Sequence, residues 1–146
     1  MNNKQNGNIA MAKAIHYFLS EGFNVFLPLG DCGGDIDFII TKNGVEMFRV
    51  QCKSTYNRHT SMSLKRPDLF IYEVSMLLCK TREDKRTSPK RYYTSESFDF
   101  VYVVTPHNDY LIDWKEVCAN RANPPSTLIL GSKLDKYRLF KPEVAC

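Results

Sequence analysis

Apolar residues recur along the first twenty positions at the spacing of an α-helix. The apolar positions are Ile9, Ala12, Ile15, Phe18 and Leu19. Asn8 stands where a residue can cap the start of the helix, and Gly22 follows the last turn. The pattern therefore predicts a helix from Ile9 to Ser20.

Three segments after this helix have the composition of β-strands. Phe23–Leu29 alternates between apolar and polar residues, although Pro28 favours an edge or a bend at its end. Ile36–Thr41 and Val45–Ser54 flank Asn43 and Gly44, a pair that strongly favours a hairpin turn. A helix followed by strands in this order predicts an α/β fold, with a mixed sheet flanked by helices.

The second half of the chain contains one strong strand and several weaker patterns. Phe98–Thr105 is rich in β-formers, and a turn leads from it into a second strand at Tyr110–Ile112. Asp113 is placed to cap a short helix from Trp114 to about Asn120. The weaker patterns predict a strand or short helix at Asp68–Leu78, a loop at Lys80–Arg91, and a strand or helix within Leu128–Cys146.

Composition limits the class of protein. The 146 residues, 43% of them hydrophobic, suit one domain over residues 1–146 with one core. Five scattered cysteines form no CxxC pair, so a disulfide framework and a zinc site are not indicated. No apolar run is long enough for a membrane span, and the polar start does not resemble a secretory signal. We expect a cytoplasmic protein in a reducing compartment that does not associate with a membrane.

The segment from Asp37 to Lys53 contains the candidate chemistry. If Met47–Ser54 is a strand, its side chains alternate, so that Arg49, Gln51 and Lys53 share one face. The apolar residues between them would face the core, leaving the other face more open. A hairpin would bring Asp37 to the same end of the strands. A carboxylate, an amide and an amine meeting there predict a metal-dependent hydrolytic site, because Mg²⁺ prefers oxygen ligands.

The same residues resemble a known family. The run from Asp37 through Gln51 to Lys53, preceded by a helix and a strand, is similar to the PD-(D/E)XK nucleases, with Gln51 where a second acidic residue usually stands. The segments GNIAMAKAI, LPLGD, DFII and FRVQCKS resemble a small branch that includes intron-encoded homing endonucleases. The resemblance covers about the first 55 residues of the chain. It implies a restriction-endonuclease-like mixed β-sheet flanked by helices.

The resemblance also implies roles for individual residues. Asp37 would be the bridging metal ligand, the Gln51 side-chain oxygen and the Cys52 carbonyl further ligands, and Lys53 the group that orients or activates the attacking water. The implied cofactor is Mg²⁺, with Mn²⁺ as a substitute. Gln51 brings no charge, and the helix position that offers a glutamate in this branch is Met11, which cannot bind a hard cation. Three residues are candidates to replace the missing helix glutamate: Asp35 as a further metal ligand, Asp31, and the neutral Asn8.

Basic residues around this segment are candidates for DNA contacts, since phosphate contacts dominate affinity for nucleic acids. The formal charge of +4 is compatible with such a partner without requiring it. The candidates are Arg49, Arg58, Lys65, Arg66, Lys85, Arg86, Lys90 and Arg91.

Together these observations predict a Mg²⁺-dependent endonuclease that cleaves double-stranded DNA at specific sites in the manner of a homing endonuclease. One site cuts one strand, so a homodimer or homotetramer is expected. A Holliday-junction resolvase of the same fold is an alternative. A catalytically silent DNA-binding module is another, motivated by Met11 and Gln51.

Overall fold

The computed structural model describes residues 3–29, 35–59, 70–78, 91–131 and 133–139. Their elements, in chain order, are α1 (Asn3–Ser20), β1 (Asn24–Phe26), β2 (Phe38–Lys42), β3 (Glu46–Ser54), β4 (Tyr72–Ser75), β5 (Leu77–Leu78), β6 (Arg91–Tyr92), β7 (Phe100–Val104), β8 (Asp109–Asp113), α2 (Trp114–Cys118), β9 (Thr127–Leu130), a 3₁₀ turn (Asp135–Tyr137) and β10 (Arg138–Leu139). None of the described helices is long and apolar enough to cross a membrane.

The first helix begins earlier than its pattern predicts. It starts at Asn3 and includes Asn8, so Asn8 does not cap it. Its buried residues are Ala10, Ala14 and Phe18, whereas Ile9 and Leu19 of the predicted stripe are exposed. The buried stripe thus runs through two small residues and one aromatic residue, at positions 10, 14 and 18 with a spacing of four.

The end of α1 is predicted correctly. Gly22 has a φ of 85°, and its N–H donates to the Leu19 carbonyl at 3.1 Å, while the Phe23 N–H donates to the Phe18 carbonyl at 2.9 Å. These two bonds form a Schellman motif, and the Phe18 and Phe23 rings make its hydrophobic contact, with centroids 5.6 Å apart. The helix is thereby turned directly into β1.

A six-stranded sheet in the order β1-β2-β3-β7-β8-β10 forms the centre of the fold. Only β3 and β7 pair in parallel; the other neighbours are antiparallel. The predicted β2–β3 hairpin is confirmed, with Asn43 and Gly44 at φ values of 60° and 70°. The predicted strand at Phe23–Leu29 is limited to Asn24–Phe26, because Pro28 cannot donate to the ladder.

The remaining elements cover one face of this sheet. β4 pairs with β9 and β5 pairs with β6, in two small antiparallel sheets. Asp113 caps α2 as predicted, because its side chain accepts a hydrogen bond from the Glu116 N–H. The ambiguous segment Asp68–Leu78 contributes the strands β4 and β5. Most of the predicted loop at Lys80–Arg91 lies outside the described residues, and Arg91 itself begins β6.

The central sheet separates two hydrophobic cores. The helix-side core joins α1 to residues of β2, β3 and β7, among them Phe18, Val50 and Tyr102. The far-side core, which includes Val101, Val103 and Trp114, joins the other face of β7 to β4, β9 and α2. Because side chains alternate along a strand, Val50 on the helix side places Gln51 and Lys53 on the far side.

Candidate functional site

Asp37 lies immediately before β2 and is fixed against β3 by its main chain and its side chain. Its N–H donates to the Val50 carbonyl at 2.9 Å. Its carboxylate oxygen Oδ2 accepts from the Cys52 N–H at 2.6 Å and from the Gln51 side-chain amide at 2.9 Å. The hairpin register predicted from the sequence therefore brings Asp37, Gln51 and Cys52 together.

Gln51 is almost completely buried, with 6% of its surface exposed. Its Nε2 donates to Asp37 Oδ2 and, at 3.2 Å, to the Cys52 carbonyl. Its Oε1 is also buried, and among the described residues it accepts no hydrogen bond. An unsatisfied buried acceptor costs about 1–3 kcal/mol, so a group that binds this oxygen would stabilise the site.

Lys53 follows on the same face of β3, next to Val103 of β7. Its Nζ lies 3.2 Å from the Tyr93 hydroxyl and 5.1 Å from the centroid of the Tyr93 ring. The prediction that Gln51 and Lys53 lie on a more open face is wrong. Gln51 is buried and Lys53 is half-buried, because the far-side core closes over this part of the sheet.

Burial shifts both ionisable side chains of the site towards their neutral forms. Burial raises the pKa of the Asp37 carboxyl, although the hydrogen bond from the Cys52 N–H and the charge of Lys53 oppose this shift. Burial lowers the pKa of the Lys53 amine, and the charge of Asp37 opposes it. The two groups thus partly compensate each other's burial. A cation or a phosphate that enters the site would therefore shift the pKa of both Asp37 and Lys53.

The Cys52 side chain has no evident role in the chemistry. Burial, with a smaller contribution from Asp37, raises the pKa of the Cys52 thiol far above its ordinary value. The thiol therefore stays protonated and is a poor metal ligand and nucleophile. Its main-chain carbonyl remains available as an oxygen ligand.

The donor atoms at this point suit a hard divalent cation. They are the Asp37 carboxylate and the Cys52 carbonyl, and Gln51 Oε1 would join them if the side-chain amide turned. The set carries a single carboxylate, and the described residues contain no group of three or more His, Cys, Asp or Glu side chains that could hold a metal. Asp35, predicted as a further ligand, is half-buried two residues before Asp37. Asp31 lies outside the described residues.

Two positions of α1, Met11 and Asn8, are the helix positions that the resemblance brings into question as metal ligands. Met11 is partly buried and packs against the helix-side core. Asn8 is exposed on α1.

Comparison with known proteins places the chain in a family. The family model for the PD-(D/E)XK endonucleases matches residues 1–117. The chain belongs to this family. The resemblance carried by Asp37, Gln51 and Lys53 is thereby confirmed at the level of the family.

The fold of this PD-(D/E)XK endonuclease is similar to that of a solved bacterial homing endonuclease, I-Ssp6803I. The TM-score is 0.70 at 22% sequence identity, and the match covers 94% of this chain and 89% of the other. The predicted restriction-endonuclease-like fold is confirmed by this likeness. A search of curated proteins gives no match.

Arg49 of this PD-(D/E)XK endonuclease is tied to the segment before β7. Its main-chain N–H and its Nε donate to Asp99 Oδ2 at 2.8 and 3.4 Å, and its Nη1 donates to the Glu96 carbonyl at 2.6 Å. The guanidinium therefore braces β3 against the turn before β7. A DNA contact by Arg49 stays a prediction and would have to use the remaining donors of the fork.

Arg58 belongs to a stack of planar groups beyond the end of β3. Its guanidinium carbon lies 4.8 Å from the Phe70 ring centroid. The Phe70 ring stacks on His107 at 4.1 Å, and His107 Nδ1 is 2.8 Å from the Tyr72 hydroxyl. Because Phe70 is half exposed and Arg58 is exposed, the stack presents an oriented cation at the surface.

Most of the other predicted DNA-binding residues lie outside the part of the chain that the structure describes. Lys65, Arg66, Lys85, Arg86 and Lys90 lie outside the described residues, and for Arg91 only the main chain in β6 is described. Their roles stay predictions.

Two residues that contact the site or its supports have no signal in the sequence. The sequence does not single out Tyr93, yet its hydroxyl contacts Lys53, 40 positions away. Asp99 reads as a polar position in the FDFVYVVT strand segment, yet it anchors Arg49, 50 positions away. Neither pairing has a local signal, because each joins segments 40 or 50 positions apart that meet only in the folded chain.

Proposed function

We propose that this PD-(D/E)XK endonuclease hydrolyses phosphodiester bonds in double-stranded DNA with Mg²⁺ as cofactor, and with Mn²⁺ as a substitute. The observation that carries the proposal is the meeting of the Asp37 carboxylate, the Gln51 side-chain amide and the Cys52 carbonyl, with Lys53 next on the same face of β3. We also propose cleavage at specific sites, in keeping with the fold likeness to a homing endonuclease.

Asp37, Gln51 and Cys52 are proposed to hold the cation. When bound, the cation would supply Lewis-acid stabilisation of the phosphate charge and lower the pKa of a coordinated water. The Gln51 amide now directs Nε2 at the other two ligands. A half-turn of this amide would place Oε1 there instead, where a bound cation would satisfy it.

Lys53 is proposed to act on the attacking water and on the phosphate. Its Nζ can hydrogen-bond to the water and orient it towards phosphorus, while its positive charge attracts a non-bridging phosphate oxygen. The far-side core next to Lys53 limits access of bulk water, which strengthens both interactions. Asp35 is proposed as a further ligand that offsets the missing carboxylate.

DNA binding is proposed to use Arg58 on its aromatic stack, the guanidinium donors of Arg49 that do not contact Asp99 or Glu96, and the basic residues outside the described part of the chain. A double-strand cut requires two such sites, so we propose a homodimer or homotetramer on DNA.

Cleavage of a random duplex library tests the proposal. The wild-type protein should cut in Mg²⁺ or Mn²⁺ and not in a chelator, and sequencing of the ends should give a defined site. Lys53→Ala should reduce the rate by about 100-fold or more while DNA binding is kept. Lys13→Ala, which removes an exposed charge from α1, should cleave like the wild type.

Two other functions predict different results in the same assay. Preferential cutting of four-way junctions over linear duplex would support a Holliday-junction resolvase. Binding without cleavage of any DNA in either metal would support the silent module, for which the Asp37–Gln51 hydrogen bond and the methionine at position 11 argue.

A further inference from the structure

We propose that Tyr93 is a positioning residue for Lys53, fixing the direction of its amine in the site. The inference rests on the proposed function. Its basis is that Tyr93 contacts the amine in two ways: the hydroxyl lies 3.2 Å from Nζ, and the ring centroid lies 5.1 Å from it. One side chain thus offers both a hydrogen-bond acceptor and the negative face of a π-system.

Tyr93 is itself rigidly held. It is 3% exposed, and its ring packs edge-on against Phe98, with centroids 5.0 Å apart. Phe98 lies against the buried Trp114, whose indole N–H donates to the carbonyl of Thr94 at 2.8 Å. The residue after Tyr93 is therefore anchored to α2, and Tyr93 cannot turn away without disturbing the far-side core.

A lysine at this position needs such an anchor. Its ammonium group has three N–H donors and lies at the end of a flexible four-carbon chain, so the chain itself does not fix the direction of the donors. Two contacts from a rigid tyrosine occupy one donor and one side of the amine. The other donors are left to face the water and the phosphate. Tyr93 acts through Lys53 and is not proposed to touch the substrate.

The variant Tyr93→Phe removes the hydroxyl and keeps the ring. With saturating DNA in a single turnover, we expect its cleavage rate to fall by about tenfold to 100-fold, the effect of losing a hydrogen bond to a charged group. DNA affinity should not change. Tyr92→Phe is the matched control, because Tyr92 is the adjacent residue and is 64% exposed; it should cleave like the wild type.

A second readout follows the amine without using activity. Acylation of lysines, followed by mass spectrometry, compares Lys53 with exposed Lys13 in the same protein. Lys53 should react more slowly than Lys13 in the wild type. The ratio of the two rates should rise in Tyr93→Phe and stay constant in Tyr92→Phe.

Each result decides the inference. Slower cleavage with unchanged DNA affinity and faster labelling of Lys53 would support it. Three results would overturn the inference about Tyr93: a wild-type cleavage rate in Tyr93→Phe, a slower rate that is explained by weaker DNA binding, or unchanged labelling of Lys53. The proposed function would still stand in these cases, because it depends on cleavage by the wild type and on the loss of cleavage in Lys53→Ala. Absence of cleavage by the wild type would overturn both. If Tyr93→Phe does not fold, the labelling ratio in Tyr93→Leu decides the inference: a raised ratio supports it, and an unchanged ratio overturns it.

Discussion

The side-chain amide of Gln51 donates a 2.9 Å hydrogen bond to the carboxylate of Asp37, 14 positions earlier in the chain. A neutral amide here satisfies a partly buried carboxylate without adding a second negative charge. The same contact turns the amide nitrogen, and not its oxygen, towards the proposed ligands. Gln51 therefore stabilises the metal-free site while leaving it poorer in charge than one with two carboxylates.

Replacing Gln51 by glutamate should lower the free energy of unfolding and raise the affinity for Mg²⁺. Without divalent cations, Gln51→Glu should unfold at a lower temperature, losing about 1–3 kcal/mol, because two buried carboxylates would meet and the hydrogen bond would be lost. Mg²⁺ should raise its melting temperature more than that of the wild type. Thermal unfolding with and without Mg²⁺ measures both effects. Gln51→Met, which removes the bond without adding a charge, is the control. Equal Mg²⁺ shifts in the wild type and Gln51→Glu would contradict the proposed ligand set.

Arg58 should contribute one phosphate contact. Arg58→Ala should weaken DNA binding about equally for all sequences and reduce the slope of log affinity against log salt by about 1. Fluorescence anisotropy over a salt series measures this slope. Lys13→Ala, which removes one exposed charge from α1, should keep the wild-type slope. If the slope changes equally in Arg58→Ala and Lys13→Ala, the salt dependence comes from the overall charge of the protein and not from a phosphate contact by Arg58.

Asp99 should make stability depend on pH in the acidic range. Burial alone would raise the pKa of the Asp99 carboxyl, but hydrogen bonds from the main chain and guanidinium of Arg49, together with Lys115, outweigh it and hold the pKa below its ordinary value. The stabilisation is therefore present above the unfolded pKa of about 3.9 and is lost as the pH falls through the lower folded value.

The variant Asp99→Asn removes this titration. It should be less stable than the wild type at pH 7 by about 1 kcal/mol, and the two unfolding free energies should converge as the pH falls below about 4. Urea unfolding across the pH range gives both curves. Glu46→Gln, at an exposed hairpin position, should follow the wild-type curve. A constant difference between Asp99→Asn and the wild type at all pH values would contradict the assignment.

Asp113 should stabilise α2 through its cap. Asp113→Ala leaves the Glu116 N–H without its acceptor, so the free energy of unfolding should fall by about 1 kcal/mol. Asp113→Ser, which retains a capping oxygen, should lose less. Urea unfolding at neutral pH measures both. If alanine and serine have the same effect, the stabilisation comes from the β8 pairing and not from the cap.

The local sequence determined the parts of the site that depend on near neighbours. Asn43 and Gly44 turn the chain, and the alternation along β3 sets the register, so Asp37 meets Gln51 and Cys52 without help from the rest of the fold. The Asp113 cap and the Gly22 helix end are also local, since each needs only a few adjacent residues.

Only the tertiary structure decided how this site is enclosed. Alternation shows that β3 has two faces, but it does not show what covers them. The far-side core closes over Gln51 and Lys53 because β7 pairs in parallel with β3, and Tyr93 reaches Lys53 from 40 positions away. The true buried stripe of α1 was likewise set by contact, since the sheet accepts the small Ala10 and Ala14 and leaves Ile9 and Leu19 exposed. Contacts between distant segments produce no periodic pattern in the sequence. The orientation of the Gln51 amide and the contact of Tyr93 with the Lys53 amine are therefore seen only in the folded chain.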